Sequence, residues 1–336
     1  MKKTGWGVLG LVFGIILLIV LASYGFSTPS TTPHTYKVAI LVANDLRLAK
    51  VEGLKQGLQE LGYTEGEDLT YHVENAKNDL QQMTDLGKKL LQEKPDVLVA
   101  AGAVEAQALK KLTARAKNSE PVVFMGTLSP VDIGLVQNSA RPGGNLTGLN
   151  NYHFELTPKR LELLHHLLPN VKTVAVLGDT RVPIFERIQI ELNKVGQAFG
   201  LTVRMYTAMN SGEIQQALKK MQDNGAQAVI LLPGFFLETS TKQIVELATA
   251  RKLPVFGVYP EDIDEGCFAA YGTSNREQGI QSAHMVSKIL RGSNASEIPI
   301  ETPDRIVFSV NLQVAMRLGI QPSPSVLSFA DRVVQP

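Results

Sequence analysis

The chain has 336 residues, 33 basic and 32 acidic side chains, a net charge of +1 and 44% hydrophobic residues. That length suits about two domains, and the even charge balance offers no electrostatic footprint for a nucleic-acid partner. The single cysteine, Cys267, excludes an internal disulfide framework and a cysteine-rich metal site; beside Gly266 and Phe268 it reads as a small buried hydrophobe.

Residues 1–26 stand apart. Lys2 and Lys3 precede an uncharged apolar run from Gly5 to Phe26, either a long signal peptide or a single spanning helix, with a retained anchor preferred. The two lysines place the remainder of the chain on the extracytoplasmic side. Residues 27–35, "STPSTTPHT", form a Ser/Thr/Pro linker reaching at most about 30 Å. Gly5, Gly7 and Gly10 spell a dinucleotide-binding pattern, but no strand precedes them, so the pattern is discarded.

From Tyr36 short apolar runs alternate with amphipathic stretches, the grammar of parallel α/β sheets. Strands are predicted at 37–43, 69–75, 95–102, 121–126 and 145–150, with helices over 48–63 and 80–93. The second half repeats the pattern: "TVAVLGD" (173–179) answers "KVAILVA", "AQAVILLPG" (226–234) answers "PDVLVAAG", and "LPVFGVYP" (253–260) answers "PVVFMGTLSP". Val38 pairs with Val174 and Val97 with Ala228 at a near-constant separation. Two doubly wound parallel-sheet lobes joined by a hinge are therefore expected, the first over 36–150 and the second over 151–272.

Ligands of open parallel sheets bind beyond the carboxyl ends of the strands. The loops there nominate Asn44, Asp45, Ala103, Val104, Thr127 and Ser129 from the first lobe. The second lobe offers Asp179, Arg181, Gly234, Phe235, Phe236 and Tyr259, with Tyr152 just after the crossing. Phe235 and Phe236, read as preceding a helical run at 239–252, could stack on a ligand or pack beneath the helix. Arg47 and Arg181 are candidate ion partners. "RPGGNLTGLN" (141–150) ends the first copy of the repeat and leads into the crossing. Asn150 and Asn151 are candidate hinge residues there, as are Tyr271 and Gly272 further along the chain. No P-loop, nucleophile elbow, metal-ligand spacing or base–nucleophile pair occurs, so no catalytic residue, metal or cofactor is assigned. An enzyme built on Asp45, Asp179 or Glu261 is the disfavoured rival.

With the loops placed, the chain resembles the substrate-binding proteins of ABC transporters that share the type I periplasmic-binding-protein fold. The branch it is similar to includes binders of aromatic amino acids. "PGGNLTG" (142–148) carries the resemblance most specifically, supported by residues 53–76, 94–109, 121–136, 161–177 and 310–334. It implies three crossings, with residues 273–291 returning as a helix to the first lobe and residues 292–336 completing the second. It also implies hinge closure on a small, amino-acid-like ligand, a membrane permease and ATPase as partners, and a monomeric extracytoplasmic protein without catalysis. The alternative is an extracellular sensing module that partners a separate receptor or kinase. Where the family shows polar cleft residues, this chain has Ala103-Val104, Ser129-Pro130 and Pro233-Gly234-Phe235-Phe236, which implies a less polar or differently held ligand.

Overall fold

The computed structural model describes residues 34–114, 120–182 and 184–336. The apolar N-terminal segment and most of the linker lie outside these residues. Among the described residues no helix is long and apolar enough to cross a membrane. Tyr36 to Pro336 form one compact unit.

Within it, β1 (Tyr36–Val42), β2 (Leu69–Asn75), β3 (Val97–Ala100), β4 (Val122–Thr127) and β5 (Leu146–Asn150) build an all-parallel sheet in the order β2-β1-β3-β4-β5. The helices between them are α1 (Leu48–Glu60), α2 (Leu80–Gln92) and α3 (Ala103–Thr113). After α4 (His153–Leu167) the same order recurs. Strands β6 (Thr173–Gly178), β7 (Thr202–Thr207), β8 (Ala228–Leu231), β9 (Val255–Gly257) and β10 (Ala269–Gly272) run β7-β6-β8-β9-β10. They are joined by α5 (Phe185–Ala198), α6 (Ser211–Asp223) and α7 (Phe235–Thr249). The repeat holds in register: Val38 lies opposite Val97 in the first sheet, and Val174 opposite Ala228 in the second. Each central strand is buried on both faces, so it reads as an unbroken apolar run rather than as alternation.

Helix α8 (Asn275–Leu290) returns to the first sheet, burying Ala283, Met285, Val286 and Ile289 against Val38, Ile40 and Leu54. Small residues set this contact. A β-carbon on Gly53 would lie 2.0 Å from the Arg276 carbonyl oxygen, and one on Gly279 would lie 2.0 Å from that of Lys50. The backbones of α1 and α8 therefore touch, and no side chain fits between them. Strand β11 (Val307–Asn311) then joins β10 antiparallel; α9 (Leu312–Leu318) and α10 (Pro324–Leu327) follow, and β12 (Arg332–Val334) closes the second sheet.

The chain passes between the sheets three times, and the three passages lie together. Asn150 N donates to Glu301 O at 2.9 Å, and Glu301 N donates to Gly148 O at 3.0 Å. Buried Arg160 of α4 ties the first passage to the second, donating to His153 O at 2.9 Å and to Tyr271 O at 2.8 Å. The "PGGNLTG" stretch is structural. Gly143 and Gly144 turn at positive φ (66° and 72°), where a side chain would be strained. Thr147 Oγ1 donates to Ile298 O at 2.8 Å, and a β-carbon on Gly148 would strike Phe124 at 2.3 Å.

Candidate functional site

The carboxyl ends of the two sheets face each other, and the loops that follow the strands meet between them. The loops after β1, β3, β6 and β8 lead into α1, α3, α5 and α7. Some helix starts among the described residues carry a side-chain cap, as Asp79 caps α2, Asn210 caps α6 and Ser274 caps α8. The two equivalent helices α3 and α7 do not: their N-cap residues are Gly102 and Gly234. First-turn amides with no capping side chain are thus presented from both lobes, together with the positive ends of two helix dipoles.

Between them lies a cavity of about 290 Å³. Ala103, Val104, Thr127, Asp179, Arg181, Gly234, Phe235, Phe236 and Tyr259, all nominated from the sequence, line it together with the hinge candidate Asn151. Phe235 and Phe236 do not precede α7 as the sequence suggested; they form its first turn, because Gly234 supplies the N-cap. Asn44 and Asp45 border a separate groove of about 610 Å³ on the far side of Glu238 and Tyr259. There Asn44 Oδ1 accepts from Arg47 N at 3.2 Å, capping the turn before α1, and Asp45 Oδ1 accepts from Asn75 Nδ2 at 2.6 Å. Ser129 is buried at positive φ (41°), and Tyr152 is the left-handed N-cap of α4 (φ 60°); neither lines either space. Tyr271 sits within β10 and Gly272 ends it, the latter packed so closely that a β-carbon would lie 2.9 Å from the His153 ring.

The sequence offered Arg47 as an ion partner but not the two glutamates that it meets, Glu105 and Glu238. Arg47 is 5% exposed; its Nη1 donates to Glu105 Oε2 at 2.7 Å within its own lobe. Its Nε and Nη2 reach across to Glu238 Oε1 and Oε2 of the second lobe at 3.1 and 2.7 Å. Burial works against the guanidinium charge, but the two glutamates hold its pKa well above the ordinary value. Burial likewise opposes ionisation of Glu238, yet Arg47 brings its pKa below the usual carboxylate range. A second cross-lobe pair joins Arg187 to Asp132 at 2.8 Å at the surface. Asp179 is engaged by Arg181, whose guanidinium lies 5.8 Å from the Phe236 ring centre, while Arg47 lies 5.2 Å over Phe235.

Lys50 is the other missed residue. It sits on α1 where α8 presses closest, is 1% exposed and lines the cavity. Its Nζ donates to Met125 O at 2.8 Å. Burial, reinforced by Arg47, lowers its pKa to about 7. Its only early signal was a lysine at an apolar position of the α1 pattern.

Two similarly wound sheets with a cavity lined from both define a two-lobed α/β protein. Residues 36–334 match the family model described as ABC transporter substrate binding protein, and the chain belongs to that family. It is a solute-binding protein and not an enzyme. The chain is 25% identical over 272 residues to a tyrosine-binding protein of Clostridioides difficile, covering 80% of this chain and 76% of that one. Among solved structures it is similar to a conserved domain protein of Vibrio cholerae, with TM-score 0.80, 26% identity, and coverage of 89% of this chain and 100% of the other. It shares its fold with a Streptococcus pneumoniae ABC domain in complex with L-Trp, with TM-score 0.79, 23% identity, and coverage of 90% and 100%.

Proposed function

We propose that the protein is the extracytoplasmic solute-binding component of an ABC importer and that it captures a small organic ligand in the cavity between its lobes. The ligand is amino-acid-like with an aromatic or other apolar body. The carrying observation is that one cavity draws its lining from the uncapped first turns of α3 and α7, one from each lobe. A ligand that touches both lobes favours the closed arrangement by those contacts, and the closed form then docks on the permease. Asn150-Asn151 and Tyr271-Gly272 serve as hinge segments, since they carry the chain across beside the Arg160 staple. The tyrosine-binding relative and the L-Trp complex support an amino-acid-like ligand.

The test is calorimetry on residues 36–336 with aromatic and branched amino acids and their acid analogues, paired with Phe235→Ala/Phe236→Ala. Binding by the unaltered protein, weakened about tenfold or more in the double variant at unchanged circular dichroism, is the expected result. Unchanged affinity would remove the two rings from the site.

A further inference from the structure

The cavity is rich in hydrogen-bond donors and poor in free counter-charge for a cation. Its lining contains two carboxylates, Asp179 and Glu238. Both oxygens of Asp179 accept from Arg181, and both oxygens of Glu238 accept from Arg47. The side-chain oxygen of Asn151 accepts from His153 N at 3.2 Å. On the donor side, Lys50 Nζ has three N–H groups and engages Met125 O at 2.8 Å. Thr127 is 1% exposed, and its Oγ1 is buried without a partner. Both side chains line the cavity beside Gly126, where a β-carbon would lie 1.8 Å from the buried, unpartnered Gln278 Oε1 and 3.4 Å from the Lys50 amine. The apolar lining comes from Val104, Leu128, Ile133, Val182, Phe235 and Phe236.

We propose that the cavity takes a monocarboxylic acid with an aromatic or branched apolar body, that Lys50 and Thr127 hold its carboxylate, and that an α-amino group adds nothing to recognition. This rests on the reading of the cavity as the ligand site and deepens it: the acid end is read and the amine end is not.

The charged neighbours of Lys50 shape how binding responds to pH. Arg47 from the preceding turn disfavours the ammonium, while Glu238 of α7, Glu105 of α3 and Glu261 from the turn after β9 favour it; His153 of α4 lies within the same field, held neutral by burial. Since the amine titrates near neutrality, an arriving carboxylate draws a proton onto it. Binding therefore takes up a proton on the alkaline side of that range.

The experiment uses two compound triplets, each an acid, the matching amino acid and the matching amine. They are 3-phenylpropanoate, L-phenylalanine and 2-phenylethylamine, and 4-methylpentanoate, L-leucine and 3-methylbutylamine. Each is titrated calorimetrically into residues 36–336, Lys50→Met and Thr127→Val, with melting curves to confirm folding. In at least one triplet the acid should bind as tightly as the amino acid or tighter, and the amine should not bind. Lys50→Met should weaken the acid at least about tenfold and Thr127→Val several-fold. Affinity of the unaltered protein for the acid should fall by roughly tenfold per unit above about pH 8, and that dependence should vanish in Lys50→Met. If an amino acid binds while its acid analogue does not, or if folded Lys50→Met binds the acid unchanged, the proposal is overturned and the solute-binding reading stands. If none of the six compounds binds, both fall.

Discussion

Arg47 and Glu238 meet only when the two lobes are together, which makes Glu238→Gln a direct probe of closure. The substitution keeps shape and one acceptor oxygen but removes the charge from a bidentate pair at 2.7 and 3.1 Å whose side chains are each 6% exposed. Stripping one partner from a fully buried ion pair costs about 3–5 kcal/mol, because the other charge is stranded. Here Arg47 keeps Glu105 at 2.7 Å, so the loss is that of a charge-assisted hydrogen bond, about 1–3 kcal/mol. In the proposed open form the two residues are parted, so the whole loss falls on the closed form, shifting the equilibrium about 5- to 150-fold. Small-angle scattering of the ligand-free protein should show a larger radius of gyration for Glu238→Gln, and ligand affinity should drop by a similar factor. The sign with pH follows from the depressed Glu238 pKa: its contribution is complete above the unfolded-state value and is lost only as pH falls through the still lower folded value. The deficit of the variant should therefore be constant from about pH 5 to 8. Unchanged scattering and affinity, with no coupling between Glu238→Gln and Arg47→Met in a double-mutant cycle, would refute the latch.

Two further predictions concern the frame around the site. Arg160→Met leaves the carbonyls of His153 and Tyr271 without their buried donor and should cost about 3 kcal/mol in urea unfolding, with Arg160→Lys recovering part; a loss below about 0.5 kcal/mol would deny the staple. Asp262 lies under Tyr259, its Oδ2 accepting from Val258 N and Tyr259 N at 2.7 and 2.9 Å, and burial lifts its pKa to about 7 despite those two bonds. Its raised folded value means that its stabilising effect is full below the unfolded value near 3.8 and is lost as pH rises through about 7. Asp262→Asn should therefore flatten the fall in melting temperature between pH 5 and pH 8, and an unaltered pH slope would contradict the assignment.

Much of the frame was legible in the chain itself. Buried parallel strands must be continuous apolar runs, so β1, β3, β6 and β8 announced themselves, and the pairing of Val38 with Val174 already implied two like-wound sheets. Gly102 and Gly234, which have no side chain to cap a helix, stand at the starts of α3 and α7. What periodicity could not show was which sheet a helix joins. Helix α8 belongs to the first lobe because Gly53, Gly57 and Gly279 let backbones touch, a property of two surfaces meeting and not of either segment alone.

The partners of Arg47 in the charged centre, and the burial of Lys50 beside it, were hidden for the same reason. Lysine, arginine and glutamate in helix starts are solvated unless something covers them, and the cover for Arg47, Lys50 and Glu238 comes from residues distant in the chain. The sequence by itself determined two doubly wound lobes and the loops that would face each other. Only the tertiary structure decided that Glu238 would neutralise Arg47 across the gap and that Lys50 would be buried beside Thr127, since burial and charge pairing exist only once the distant surfaces have met.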